Sequence, residues 1–145
     1  MIIKSFRGKL ADGDIEKINL STNDGRTGYR ITKFKLIPEK PVTSANECVM
    51  QIWKVEQTLA SSDVDFSNQI LLGVGIYSNQ TDTTYYPDDE SIVFDNDMFN
   101  QDIYITHKNE TGSGSCNYYL ELEQLELSLN EQTVATLQNI RDIGV

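Results

Sequence analysis

Apolar and polar residues alternate along most of the chain with the two-residue period of β-strands. Residues 2–10 alternate loosely, with Ile2, Lys4 and Phe6 against Ile3, Ser5 and Arg7, and Asp12-Gly13-Asp14 ends them in a turn. Ile15, Ile18 and Leu20 mark a second short segment. After it, Asn23-Asp24-Gly25 supplies the positive-φ position that a tight hairpin requires. Residues 29–37 (YRITKFKLI) read as a strand that changes phase. Tyr29 and Ile31 share one face, and Phe34 and Leu36 share the other, which predicts a bulge near Lys33. Pro38 and Pro41 stop this strand and open a loop.

The segment 47–57 carries apolar side chains on both faces, Val49, Trp53 and Val55 against Cys48, Met50 and Ile52, as a central strand covered on both sides would. A polar loop over 58–69 precedes the strand ILLGVGIYS at 70–78, in which Gly73 and Gly75 predict a bend or close backbone packing. Residues 79–90 form the longest polar loop. Strands at 91–95 and 102–108 follow, and NETGSGS at 109–115 is a turn. The strongest alternation is CNYYLELEQLELSL at 116–129, where Tyr118, Leu120 and Leu122 face one way and Leu125, Leu127 and Leu129 continue after a one-residue slip. The period then changes to that of a helix with Val134, Leu137 and Ile140 as its apolar positions. Its start is capped either by Asn130 or by the pair Ser128 and Glu131.

About eight short strands, one terminal helix and no βαβ rhythm predict a mainly β protein: an antiparallel β-sandwich, jelly-roll-like, with one short C-terminal helix. A partly open barrel is the alternative. No linker or internal repeat divides the 145 residues, so residues 1–145 read as a single sandwich domain. A hydrophobic fraction of 39% with 23% charged residues excludes a disordered or fibrous chain. No apolar run approaches the roughly 20 residues of a membrane helix, and the opening MIIKSFRGKL lacks the apolar core of a secretory signal.

The net charge of −10 argues against general nucleic-acid binding. Its layout is uneven. Residues 1–40 hold nine cations against five acids, net +4, whereas residues 41–145 hold three against seventeen, net −14. Such a split favours oriented contact with a charged partner or between copies, with local pairing of basic and acidic strands as the alternative.

Candidate chemistry is sparse. A nucleophilic triad needs a basic histidine, and His107, beside Lys108 at a strand end, reads as a surface or edge residue; no GxSxG elbow accompanies any serine. No enzyme and no cofactor are expected. Cys48 and Cys116 lie 68 residues apart, and with one histidine they fall short of the four ligands of a zinc site, so no metal is expected. The two cysteines read as buried free thiols, although a disulfide is geometrically possible. Counted from Asp12, an EF-hand would place Lys17 at position 6 and Asn23 at position 12, so that motif fails. A loop cation near Asp95 and Asp97 is less expected than solvated turn residues. Tyr85 and Tyr86, in a polar loop before Pro87, are the aromatic candidates for an external contact.

The run from Phe94-Asp95-Asn96 through Phe99-Asn100-Gln101-Asp102-Ile103-Tyr104-Ile105-Thr106-His107 resembles small virion proteins of tailed phages that infect marine bacteria. So do residues 117–144 (NYYLELEQLELSLNEQTVATLQNIRDIG), the opening MIIKSFRGKLADGD and GRTGYRI at 25–31. The resemblance implies a capsid-associated or decoration protein without enzymatic activity. It would be assembled in the host cytoplasm into the virion, and its partners would be the major capsid protein or other virion proteins, or its own copies in a homo-oligomer. Neither nucleic acid nor membrane is an expected partner. The alternative is a carbohydrate- or receptor-binding module of the tail or neck. Candidate partner-binding residues are Ile2, Ile3, Lys4, Phe6, Arg7 and Lys9 at the basic N-terminal end, with Tyr85 and Tyr86.

Overall fold

The computed structural model describes residues 1–22, 25–79, 88–94 and 97–143. Eight strands run in order: β1 (Ile2–Leu10), β2 (Ile15–Ile18), β3 (Thr27–Pro38), β4 (Glu47–Trp53), β5 (Leu71–Ser78), β6 (Asp88–Val93), β7 (Ile103–Asn109) and β8 (Cys116–Glu126). The helix α1 (Leu129–Ile143) follows. The strands form two antiparallel sheets, β1-β8-β3 and β2-β7-β4-β5-β6, which pack face to face as a sandwich. Strand 1 pairs with 8, 2 with 7 and 4 with 5, the nested winding of a jelly roll. β6 departs from that winding by pairing with β5, where a full jelly roll would set it beside β3.

The layers follow from the alternation. Ile31, Phe34, Leu36, Tyr118, Leu120 and Leu122 of one sheet meet Met50, Ile52, Ile103 and Ile105 of the other in the core. The phase change in β3 is a bulge, with the register shifting between Ile31 and Lys33, so Tyr29, Ile31, Phe34 and Leu36 all end up buried. β4 is central and covered twice, by the opposite sheet within and by the segment 54–70 without. There Gln51 donates to the carbonyls of Ser61 and Asp63. At Gly75 the sheets approach closely, since a Cβ on it would collide with Leu36 Cδ1 of the facing sheet.

Some expectations are corrected. Gly25 has the positive φ (67°), but β2 and β3 belong to different sheets, so this turn crosses the sandwich and makes no hairpin. Asn23 and Asp24 lie outside the described residues. A turn signal reads local backbone geometry and is silent about which strand becomes the partner. The strand expected at 91–95 begins earlier, at Asp88. Of the apolar positions after the slip, Leu127 is buried, Leu125 at the end of β8 is only partly covered, and Leu129, which begins the helix, is exposed. The helix start uses the second cap: Ser128 Oγ accepts from Glu131 N and Glu131 Oε1 accepts from Ser128 N, both at 3.3 Å. Val134 and Leu137 do not seek a sheet, being 63% and 59% exposed, and the Ile140 side chain lies outside what is described; Thr136 ties the helix to the sandwich, its Oγ1 accepting from Asn100 Nδ2.

Candidate functional site

Two places gather residues with chemistry to offer. The first is β1, one edge of the three-stranded sheet, and it carries six of the candidate contact residues. Strand geometry splits them between faces. Register with β8 sets Ile2, Lys4 and Phe6 in phase with buried Leu120 and Leu122, while Ile3, Arg7 and Lys9 share the outer face with Glu123, Tyr119 and Asn117. Ile2 (56%) and Ile3 (43%) are exposed on opposite faces of the same strand end. Phe6 is half-buried and packs against the core. The candidates therefore do not form one cationic ring around an apolar centre.

Charges on the outer face pair by strand. The basic strands β1 and β3 flank the acidic β8, so the +4 and −14 segments lie side by side. Arg30 Nε bonds Glu123 Oε2, Lys33 lies over the Tyr119 ring, and Tyr119 donates to Glu121. Lys9 pairs with Glu39 at 3.2 Å, whereas Lys4 and Arg7 have no ion pair among the described residues. Local pairing thus absorbs part of the asymmetry and leaves the tip of β1 cationic.

The second place is inside the sandwich. Cys48 on β4, His107 on the adjacent β7 and Cys116 at the start of β8 in the facing sheet converge, with their donor atoms all within 4.8 Å of one another. All three are fully buried. His107 is therefore neither a surface nor an edge residue, since β7 lies between β2 and β4. Distance along the chain misled the ligand count, because neighbouring and facing strands erase a separation of 68 residues. The available signal was phase: His107 alternates with Ile103 and Ile105, which are core residues, and Cys48 with Met50 and Ile52.

The turn after β1 fixes the imidazole. His107 Nδ1 lies 3.0 Å from the Ala11 carbonyl, which assigns the ring proton to Nδ1. Two backbone bonds lock the same turn onto β7, Gly13 N to His107 O and His107 N to Asp14 O. Nε2 is buried and has no hydrogen-bond partner. The neighbouring Cys116 thiol holds the Cys48 pKa below the usual thiol value against the effect of burial, and His107 adds to the lowering. Burial works against a charged His107, but Cys48, the Ala11 carbonyl and Asp12 outweigh it and raise its pKa. The neighbouring Cys48 thiol and burial move the Cys116 pKa upward. Both cysteines are free thiols. Two sulfurs and a nitrogen at these separations can hold a soft cation, and the sulfurs alone can join the sheets as a disulfide.

A cavity of about 550 Å³ lies between the segment 54–70, the end of β6 and α1. Lys54, Asn68 and Gln138 line it beside Phe66 and Phe94, whose rings meet edge to face at 5.4 Å. Tyr85, Tyr86 and Asp95 lie outside the described residues.

No protein-family model matches the chain, and no curated protein matches it in sequence. A solved structure described as "Bacillus endospore appendages form a novel family of disulfide-linked pili" is similar over 88% of each chain, at 6% identity and a TM-score of 0.39. Likeness at that level conveys no function to this chain.

Proposed function

We propose that the chain is a non-enzymatic structural subunit of a phage particle, a capsid decoration or minor capsid protein that binds the capsid lattice or further copies of itself through β1. The observation that carries the reading is the edge itself. β1 offers nine residues of backbone whose second side has no strand partner among the described residues. Natural sheets usually shorten, bulge or cover such edges, so a long uncovered one marks a place where another chain can add a strand. Exposed Ile2 and Ile3 provide apolar area, and Lys4 and Arg7 provide orientation toward an acidic neighbour. The resemblance of residues 94–107 and 117–144 to phage virion proteins supplies the particle.

Mass spectrometry of gradient-purified particles tests the assignment: the chain is expected at a fixed stoichiometry to the major capsid protein, and its absence would refute the particle reading. The contact has its own test. The triple variant Lys4→Glu, Arg7→Glu, Lys9→Glu is expected to fold, to lose at most about 1 kcal/mol through the exposed Lys9–Glu39 pair, and to fill particles poorly. Normal filling by the folded variant would rule out the β1 contact. Added salt should weaken filling by the wild-type chain and narrow its gap to the variant, because it screens the wild-type attraction and the variant's repulsion alike.

A further inference from the structure

We infer that Cys48, His107 and Cys116 form a binding site for one thiophilic d10 cation, zinc(II) or copper(I), held between the two sheets. The donor set is two thiol sulfurs and one imidazole nitrogen, the soft combination that selects these ions over magnesium or calcium. The histidine is already oriented as a ligand. Metal-bound histidines hand their other ring N–H to a carbonyl or carboxylate, and His107 hands Nδ1–H to the Ala11 carbonyl, leaving the Nε2 lone pair unused and buried. That carbonyl is itself fixed, accepting from Asp14 N at 3.1 Å.

The dimensions agree. A metal about 2.3 Å from each sulfur and 2.0–2.1 Å from nitrogen sets its donors roughly 3.5–4 Å apart. Donors within 4.8 Å therefore need to close by about 1 Å at most along the longest edge. Two donors come from adjacent strands of one sheet and the third from the facing sheet, so the site is organised by the fold rather than by a mobile loop.

A Cys48–Cys116 disulfide is the competing use of the same atoms, and it leaves His107 Nε2 unpaired. Metal binding uses all three donors, each thiol releasing its proton to solvent. The cluster holds three protein donors among the described residues. That number suits trigonal copper(I) as it stands, and zinc(II) with one further small ligand. Because every donor is buried, the ion enters while the chain folds, which couples loading to folding.

The test uses the full chain, unfolded under reductant and refolded anaerobically with one equivalent of zinc(II), with one of buffered copper(I), or with chelator alone. The expected result is one equivalent retained through desalting in one metal arm, read by elemental analysis and native mass spectrometry, and that arm identifies the ion. Both thiols should then resist alkylation in the folded state at least tenfold better than in the chelator arm. Cobalt(II) in place of zinc(II) should give thiolate-to-metal charge-transfer absorption if zinc is the ion. Cys116→Ser and His107→Ala should each weaken binding at least tenfold; where either fails to fold, the alkylation of the wild-type chain decides. Folded wild-type chain that retains neither metal overturns the proposal. So does a Cys48–Cys116 disulfide recovered from refolding with metal present.

Discussion

Asp102, immediately before β7, joins two parts of the chain that are far apart in sequence. Its Oδ1 accepts from Leu20 N at 2.7 Å and Ser21 N at 2.9 Å, and its Oδ2 lies 3.4 Å from Lys17 Nζ. Burial opposes the charge, but the two backbone N–H groups and Lys17 outweigh burial and hold the pKa below the ordinary aspartate value. A carboxylate lowered by folding contributes stability above its unfolded pKa and loses it as pH falls through the folded one. Asp102→Ala should therefore cost about 1–2 kcal/mol at neutral pH, a figure already reduced for partial solvent screening. Asp102→Asn keeps an acceptor oxygen and should cost less, and both variants should flatten the fall in stability below about pH 4. Urea titrations across pH would expose the error if the acid limb were unchanged. Nothing in the local sequence marks this residue. Its partners lie about 80 positions away, and its role exists only once β2 and β7 are side by side. The Cys48, His107 and Cys116 cluster is hidden for the same reason.

Elements were legible wherever one face is buried. β8 announces itself because Tyr118, Leu120 and Leu122 must all point inward, and a one-residue slip would expose them together. Leu120→Ala and Leu122→Ala should each cost about 2–5 kcal/mol, with little collapse of the site to soften the loss. Gly75→Ala should also destabilise, by about 1–3 kcal/mol, since Leu36 and Phe34 already occupy the space of the new methyl group. The helix gives the opposite case. Its stripe of Val134 and Leu137 has the right period, yet period reports amphipathicity and not the presence of a cover. Val134→Ser with Leu137→Ser should leave the melting of the isolated chain within about 0.5 kcal/mol of wild type. A loss comparable to that of Leu122→Ala would mean that the helix packs its apolar face after all.

For the whole molecule, the sequence revealed the class of fold and the charge imbalance, but not how winding combines them. Residues 1–40 are basic and β8 is acidic, and the jelly-roll order inserts β8 between β1 and β3, so opposite charges meet by topology. The same insertion leaves no half able to keep a complete sheet. Heat or denaturant should therefore unfold the chain in one transition, with coincident far- and near-ultraviolet circular dichroism; two separated transitions would contradict this. The order of synthesis gives β8 a further consequence. β1 and β3 leave the ribosome early, yet their only hydrogen-bonding partner among the described strands spans residues 116–126. At about 5–20 residues per second, they wait on the order of ten seconds with both edges open. Nascent chains stalled before residue 116 should be prone to aggregation and rich in chaperone contacts, and that burden should vanish once β8 has emerged.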